Sequence, residues 1–325
     1  MNFDRNLLKK LCSIHAVVGD TENGIRELKK MLAERKIPSQ ETDFGVLVFG
    51  NLKNPKLMIS AHIDEVGFQV INQQENGTFL IKKSGHVDAV MLNNSTVYVH
   101  TASGNIPGCI YPKLALGNNK PSNFTEIFLD TLDNEKIEIG NFGSYARVFH
   151  ANDEKVLATG LDNKISVLMI LELIQERPGL LNSTMFSFVT EEESTYDCIA
   201  GIAHRYQPQY AIILDMLMVN QRDSTKNERI PDVTKGPAVL YSMHSYHLHP
   251  KVRRLLTTLP PVQQAHLDID FPPEPQIVQR NGITKGVNVF IPLYGWHNCA
   301  YSMHIRDYDR TKKFTKKLAS LLQTH

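Results

Sequence analysis

Apolar residues recur at helical spacing near the start of the chain and then change to strand-like runs. Leu7, Leu8 and Leu11 lie on one helical face, and beyond the break at Gly19-Asp20 a second face is formed by Ile25, Leu28, Met31 and Leu32. Residues 45–49 and 56–61 read as strands, the second continuously apolar over its middle, as a strand buried on both faces should be. From about 68 to 156 the texture is different. Short alternating segments at 79–81, 97–100 and 147–150 are separated by Gly, Asn and Asp turns without a helical period, which predicts a small all-β module. From Leu161 onward helices and buried strands alternate: an amphipathic helix over 163–175, a strand over 185–189, a helix over 199–206 and a strand over 210–214. A helix over 250–259, a strand over 287–291 and a closing helix over 311–322 follow. This alternation predicts an α/β fold, a mostly parallel sheet covered by helices on both faces, with an inserted small all-β domain. Residues 1–67 and 157–325 would form one discontinuous α/β domain and 68–156 the insertion.

Four of the predicted strands run out into side chains able to bind a metal. Residues 57–61 lead into His62-Ile63-Asp64-Glu65, 185–190 into Glu191-Glu192-Glu193, 211–214 into Asp215, and 287–291 toward His297. A fifth group, Asp162, stands in Gly160-Leu161-Asp162-Asn163-Lys164, where a loop enters a helix. Ligands of open α/β sheets bind beyond the carboxyl ends of the strands, so the five groups converge on one place. Two imidazoles with several carboxylates and no thiolate form a site suited to Zn²⁺, Co²⁺ or Mn²⁺. A carboxylate shared between two ions about 3.5 to 4 Å apart lets the pair polarise a carbonyl and generate hydroxide near neutral pH. A carboxylate that is not a ligand can then shuttle the proton, and the Glu triplet holds enough acids for both tasks. Taken singly, Asp162 reads as a helix cap, the triplet as a solvated charge run and His62 as a structural residue. Their coincidence at one end of one sheet favours the metal centre.

Composition removes several alternatives. The chain has 325 residues, 42% hydrophobic and 21% charged, an ordinary globular balance with room for about two domains. With 35 basic against 34 acidic residues the formal net charge is +1, so no basic field is available for a phosphate backbone and no nucleic-acid partner is expected. No apolar run approaches the roughly 18 to 20 residues that span a bilayer, and Met1-Asn2-Phe3-Asp4-Arg5 opens no apolar signal segment. No membrane partner and a cytoplasmic location are the expectation. Cys12, Cys109, Cys198 and Cys299 form no C-x-x-C pair, which suits reduced thiols. Among the 13 histidines, His244, His247 and His249 include an H-x-H with no acid-bearing strand end nearby and read as surface or groove residues; His304 reads as a solvated lead-in to the last helix.

The metal-competent residues resemble, over nearly the whole chain, the TET-type metallo-aminopeptidases, also called the glutamyl or deblocking aminopeptidase family, in the clan of two-metal exopeptidases. Ala61-His62-Ile63-Asp64-Glu65-Val66-Gly67 is similar to its A-H-x-D-E-x-G, Leu161-Asp162-Asn163-Lys164 to its L-D-[ND]-[RK], and Ile291-Pro292 followed by His297 to its I-P-x-x-x-x-H. From Glu193 to Asp215, the placing of Pro208, Ala211 and Leu214 matches E-E … P-x-x-A-x-x-L-D without a gap. The resemblance implies two divalent ions per chain, Zn²⁺ or Co²⁺, bridged by Asp162, with His62 and Asp215 at opposite ends and Glu193 and His297 completing the ligand set. It implies that Glu192 is the general acid/base and that Asp64 orients His62. It further implies hydrolysis of N-terminal residues from peptide substrates, an insertion that serves dimerisation, and dimers that assemble into a hollow dodecamer. The chain departs from the family at Ser194-Thr195-Tyr196-Asp197-Cys198-Ile199, where V-G-x-R-G-A is usual, and at Asn298-Cys299-Ala300-Tyr301, where S-P-x-E is usual. The family's Gly-Thr-Asp-Ala stretch has no clear counterpart in 276–286. These changes spare the ligands and alter the walls, so two other readings stay open: a metal-binding member with impaired catalysis, and a metal-dependent deacylase of small N-acyl compounds.

Overall fold

In the computed structural model, which describes residues 3–114, 121–219 and 228–325, the apolar run Leu57–His62 lies inside a nine-stranded sheet. It is flanked by Thr184–Val189 on one side and by Tyr210–Met218 and then Lys285–Leu293 on the other, all parallel to it. Beyond them the pairing turns antiparallel. Leu47–Gly50 pairs antiparallel with Thr184–Val189, Ser39–Glu41 antiparallel with Leu47–Gly50, and Ala238–Met243 antiparallel with Lys285–Leu293. The sheet is therefore mixed rather than mostly parallel, parallel only at its centre. The central strands are joined through connections that carry the helices Leu161–Glu176 and Asp197–Tyr206, as parallel neighbours require, whereas the short turns after Ser39–Glu41 and Ala238–Met243 reverse the chain into Leu47–Gly50 and Tyr246–His247.

Alternate residues of the central strands enter two separate apolar clusters. Leu57, Ile59, Phe186, Phe188, Ile212 and Leu214 join the larger, with the first two helices and Leu161–Glu176; Met58, Met185, Ala211 and Ile213 join a smaller one with Ile199, Ile202, Ile277 and Val278. Leu161–Glu176 is not amphipathic in its setting. Every residue from Leu161 to Ile174 is buried, because the helix packs against Leu57–His62 and Tyr210–Met218 on one side and against Arg5–Cys12 and the closing helix Ile305–Thr324 on the other. Its one mid-helix acid, Glu172, accepts from Lys312 Nζ at 2.6 Å, Tyr308 Oη at 2.9 Å and the Asp4 backbone N–H at 2.9 Å, which satisfies a charge that would otherwise be costly to bury.

The strands Gly67–Gln73, Phe79–Ser84, Thr96–Thr101, Gly104–Leu114, Pro121–Thr131 and Phe142–Tyr145 close into a small barrel, which leaves no unpaired sheet edge, around Phe68, Val70, Phe79, Ile81, Val97, Val99, Ile110 and Leu129. The closure depends on close backbone approach: a Cβ on Gly143 would lie 2.2 Å from Phe68 Cζ and 2.7 Å from the Tyr98 carbonyl oxygen. The predicted segment at 147–150 stands apart from the barrel, since Phe149–Ala151 and Lys155–Ala158 pair with each other and with Tyr301–His304. The chain enters the barrel directly after the His62 to Val66 segment and leaves it beside that segment, where Arg147 donates to both carboxylate oxygens of Glu65.

Candidate metal centre

The strand ends deliver their polar groups to one point. His62 ends Leu57–His62, Glu191 to Glu193 follow Thr184–Val189, Asp215 lies within Tyr210–Met218, and His297 follows Lys285–Leu293. Asp162 arrives from the opposite direction, at the start of Leu161–Glu176 after Gly160 in the left-handed region (φ 70°). Its neighbours anchor it to the strands that carry His62 and Asp215. The Asn163 side-chain amide donates to the Leu214 carbonyl at 2.9 Å, and the buried Lys164 Nζ donates to the Ile63 carbonyl.

His62 Nε2 lies 3.1 Å from Asp162 Oδ1, 3.6 Å from Asp215 Oδ1 and 3.7 Å from Glu192 Oε2. His297 Nε2 lies 3.1 Å from Glu193 Oε2 and 3.9 Å from Asp162 Oδ2. Among the described residues, several groups of three have ligand atoms within 4.8 Å of one another, His62–Glu192–Glu193 included; two of them, His62–Asp162–Asp215 and Asp162–Glu193–His297, share Asp162. Glu191 points elsewhere: its carboxylate lies 3.4 Å from Cys198 Sγ and 3.5 Å from Thr195 Oγ1, while its carbonyl accepts the N–H groups of Ser194, Thr195 and Tyr196 and so closes the loop that departs from the family pattern.

Both imidazoles are oriented so that Nε2 faces the centre. His62 Nδ1 lies 3.1 Å from the Asp64 carbonyl oxygen and 3.4 Å from Asp64 Oδ1, and Asp64 Oδ2 accepts the Glu193 backbone N–H at 3.0 Å. One fully buried carboxylate thus links the His62 imidazole to the segment carrying the acids. His297 Nδ1 bonds the His86 carbonyl at 2.9 Å. The His297 backbone is held on both sides, its N–H donating to Tyr301 Oη and its carbonyl accepting from Tyr145 Oη, each at 3.1 Å.

Electrostatically the cluster is short of positive charge. Burial alone would depress the His62 imidazole, but the nearby carboxylates of Glu192, Asp162, Asp215 and Asp64 outweigh it and raise His62 well above its usual range. His297 behaves alike: burial opposes, Glu193 prevails, and the imidazole rises to about 9. Burial pushes the Glu192 carboxyl well above the usual carboxylate range against the pull of His62, with Asp215, Glu193 and Glu274 adding to the rise. Buried carboxylates this close together, with two imidazoles and no thiolate, form the nitrogen and oxygen donor set that divalent cations such as zinc take, and such cations would neutralise the surplus charge.

Glu274 was not legible as a site residue. It stands between Pro273 and Pro275, just upstream of the segment in which the Gly-Thr-Asp-Ala stretch has no match, yet it is 3% exposed and its carboxylate joins those of Glu192 and Asp215 within 4.8 Å. Burial, then Asp215, push its carboxyl up to about 8. An acid fixed between two prolines just ahead of an apolar strand was the only available signal. The three groups border a cleft of about 1010 Å³ whose walls combine Ile81 and Ile127 of the barrel with Met216, Met243, Phe271 and Trp296, and Tyr196 of the rewritten loop lines it as well. The H-x-H lies outside it: His244 and His247 are exposed, and His249 caps Pro250–Leu256 by accepting the Lys251 N–H at 3.2 Å. All four cysteines are free thiols, and among the described residues no helix is long and apolar enough to cross a membrane.

Residues 45–314 match the profile of the family described as M42 glutamyl aminopeptidase. FrvX of Escherichia coli K12 is 29% identical over 255 residues, 72% of this chain and 70% of its own length. The lysyl aminopeptidase of Pyrococcus furiosus is 23% identical over 344 aligned positions, 98% of each chain. The solved structure of a Pyrococcus horikoshii TET1 peptidase superposes with a TM-score of 0.82 at 20% identity, covering 96% of this chain and 98% of that one.

Proposed function

The chain belongs to the M42 glutamyl aminopeptidase family and is a metal-dependent aminopeptidase; from that premise we propose which of its residues carry the reaction. His62, Asp162, Glu193, Asp215 and His297 hold two divalent cations, Zn²⁺ or Co²⁺. The observation that carries this reading is the pair of triads sharing Asp162, each with one imidazole and three ligand atoms within 4.8 Å. Cations bound there would polarise the scissile carbonyl and lower the pKa of a water molecule.

The chain's own groups do the rest. Glu192, 3.7 Å from His62 Nε2, takes the proton of the attacking water and returns it to the leaving amine. Burial disfavours its charged form and raises its carboxyl above the usual carboxylate range, which strengthens it as a base. Asp64 is a positioning residue, fixing the His62 ring and the Glu193 backbone together. Peptides are the substrates, and the cleft between barrel and sheet receives their N-terminal residue.

The same reading takes residues 68–156 as an inserted domain used for dimerisation and the sheet as covered by helices on both faces. A Pyrococcus horikoshii TET1 peptidase of this fold can assemble into a tetrahedron or a large octahedral shell. A dimer that builds a hollow dodecamer, working in the cytoplasm, is the corresponding proposal here. Protein loaded with Zn²⁺ or Co²⁺ should hydrolyse aminoacyl-nitroanilides. Glu192→Gln should lower kcat by about 10²- to 10⁴-fold with the metal retained, and Asp162→Asn should lose most of the metal by elemental analysis. Full turnover by Glu192→Gln, or none by the wild type, would sink the assignment.

A further inference from the structure

Once the two triads and the base Glu192 are assigned, Glu274 is a buried carboxylate of the cleft without a role. Glu274 is 3% exposed, borders the cleft, and its Oε1 has no hydrogen-bond partner among the described residues. Burying an unmatched carboxylate is expensive, so Glu274 is either buried neutral or ionised by a cation that enters the cleft, and a cationic substrate group would supply one. The groups within 4.8 Å of it are two further carboxylates, Glu192 and Asp215, with no imidazole among the three. That trio differs in kind from the two triads, each of which contains an imidazole. Three converging carboxylates match the three N–H donors of a primary ammonium group. An enzyme that removes N-terminal residues must bind such a group one carbon away from the carbonyl it attacks, and Glu192, the proposed base, belongs to the same trio. Beyond the carboxylates the cleft turns apolar at Met216, Met243, Phe271 and Trp296, where the side chain of the first residue can lie.

We propose that Glu274 is the receptor for the α-ammonium group of the substrate and so confines the enzyme to free N-termini. This rests on the aminopeptidase reading of the same cleft. The test compares the metal-loaded wild type with Glu274→Gln and Glu274→Asp, the second retaining the charge should the first fail to fold. Calorimetry measures the binding of leucine and of 4-methylpentanoate, which differ only in the amine.

Glu274→Gln should weaken leucine binding by about 10- to 100-fold, the worth of a charge-assisted hydrogen bond, and leave 4-methylpentanoate and the metal content unchanged. KM for leucyl-nitroanilide should rise by the same factor, and Glu274→Asp should fall between. Unchanged leucine affinity, equal loss for both ligands, or loss of metal would overturn the proposal, the last by making Glu274 a metal ligand. Calorimetry needs no turnover, so a wild type that binds leucine through its amine but cleaves nothing would refute the hydrolytic assignments and not this one.

Discussion

Removing the Arg147 guanidinium would leave the Glu65 carboxylate buried and unmatched. Glu65 is 5% exposed, its Oε2 lies 2.6 Å from Arg147, and its Oε1 accepts from Arg147 and from the Ala16 N–H at 3.1 Å. Burial alone would raise its carboxyl. The charge of Arg147 and its hydrogen bonds overcome this and hold it at about 2 instead of 4.5. At about 1.36 kcal/mol per pH unit, this is on the order of 3 kcal/mol, in line with the roughly 3 to 5 kcal/mol lost when one partner of a buried pair is removed. Arg147→Met keeps the apolar stem and deletes the charge, so urea unfolding in the presence of EDTA, followed by circular dichroism, should show a loss of about 3 kcal/mol at pH 7. A depressed carboxyl contributes stability that is fully present above pH 4.5 and is lost as pH falls toward 2. The variant, whose Glu65 has lost its counter-charge, is instead relieved by protonation, so the gap between the two proteins should narrow on acidification. Glu65→Gln in the same background should restore most of the loss. A gap under about 1 kcal/mol at pH 7, the range of an exposed pair, or one that widens in acid, would refute the reasoning.

Other perturbations test the centre and the barrel separately. EDTA should lower the melting temperature of metal-loaded protein, because cations at about 100 times their Kd add roughly 2.7 kcal/mol to the folded state; coincident melts would mean that no stabilising metal binds. Lys164→Met removes the donor to the Ile63 carbonyl, which lies between His62 and Asp64. It should weaken metal affinity by about 10- to 100-fold in a chelator competition, as changes behind ligands commonly do. Gly143→Ala drives a methyl into Phe68 and the Tyr98 carbonyl. It should cost about 1 to 3 kcal/mol and speed hydrogen exchange in the barrel strands more than in Leu57–His62.

The elements that the sequence announced are those whose signal is local. The period of Ile25, Leu28, Met31 and Leu32 marks Glu22–Glu34, and the unbroken apolar run at 57–61 marks the buried strand that delivers His62. What local pattern missed depends on packing. The helix over 163–175 reads as amphipathic, yet it is buried all round because strands lie on one side and Arg5–Cys12 and Ile305–Thr324 on the other. Its polar Lys164 and Glu172 are retained through partners at Ile63 and Lys312. The strands Ala238–Met243 and Gln263–Leu267, which extend the sheet at one flank, give no period strong enough to place them.

The sequence by itself determined the type of chemistry. An imidazole or a carboxylate follows each of several apolar strands, and the geometry of a sheet brings strand ends together whatever the details of packing. Tertiary structure decided what each acid faces. Glu191, Glu192 and Glu193 are identical in composition, but the turn closed on the Glu191 carbonyl aims the first at Cys198 and Thr195 and the other two at His62 and His297. Glu65 meets Arg147 across 82 residues of chain, and Glu274 reaches Asp215 from a segment with no motif, because contacts between distant segments leave no periodic trace in the chain that makes them.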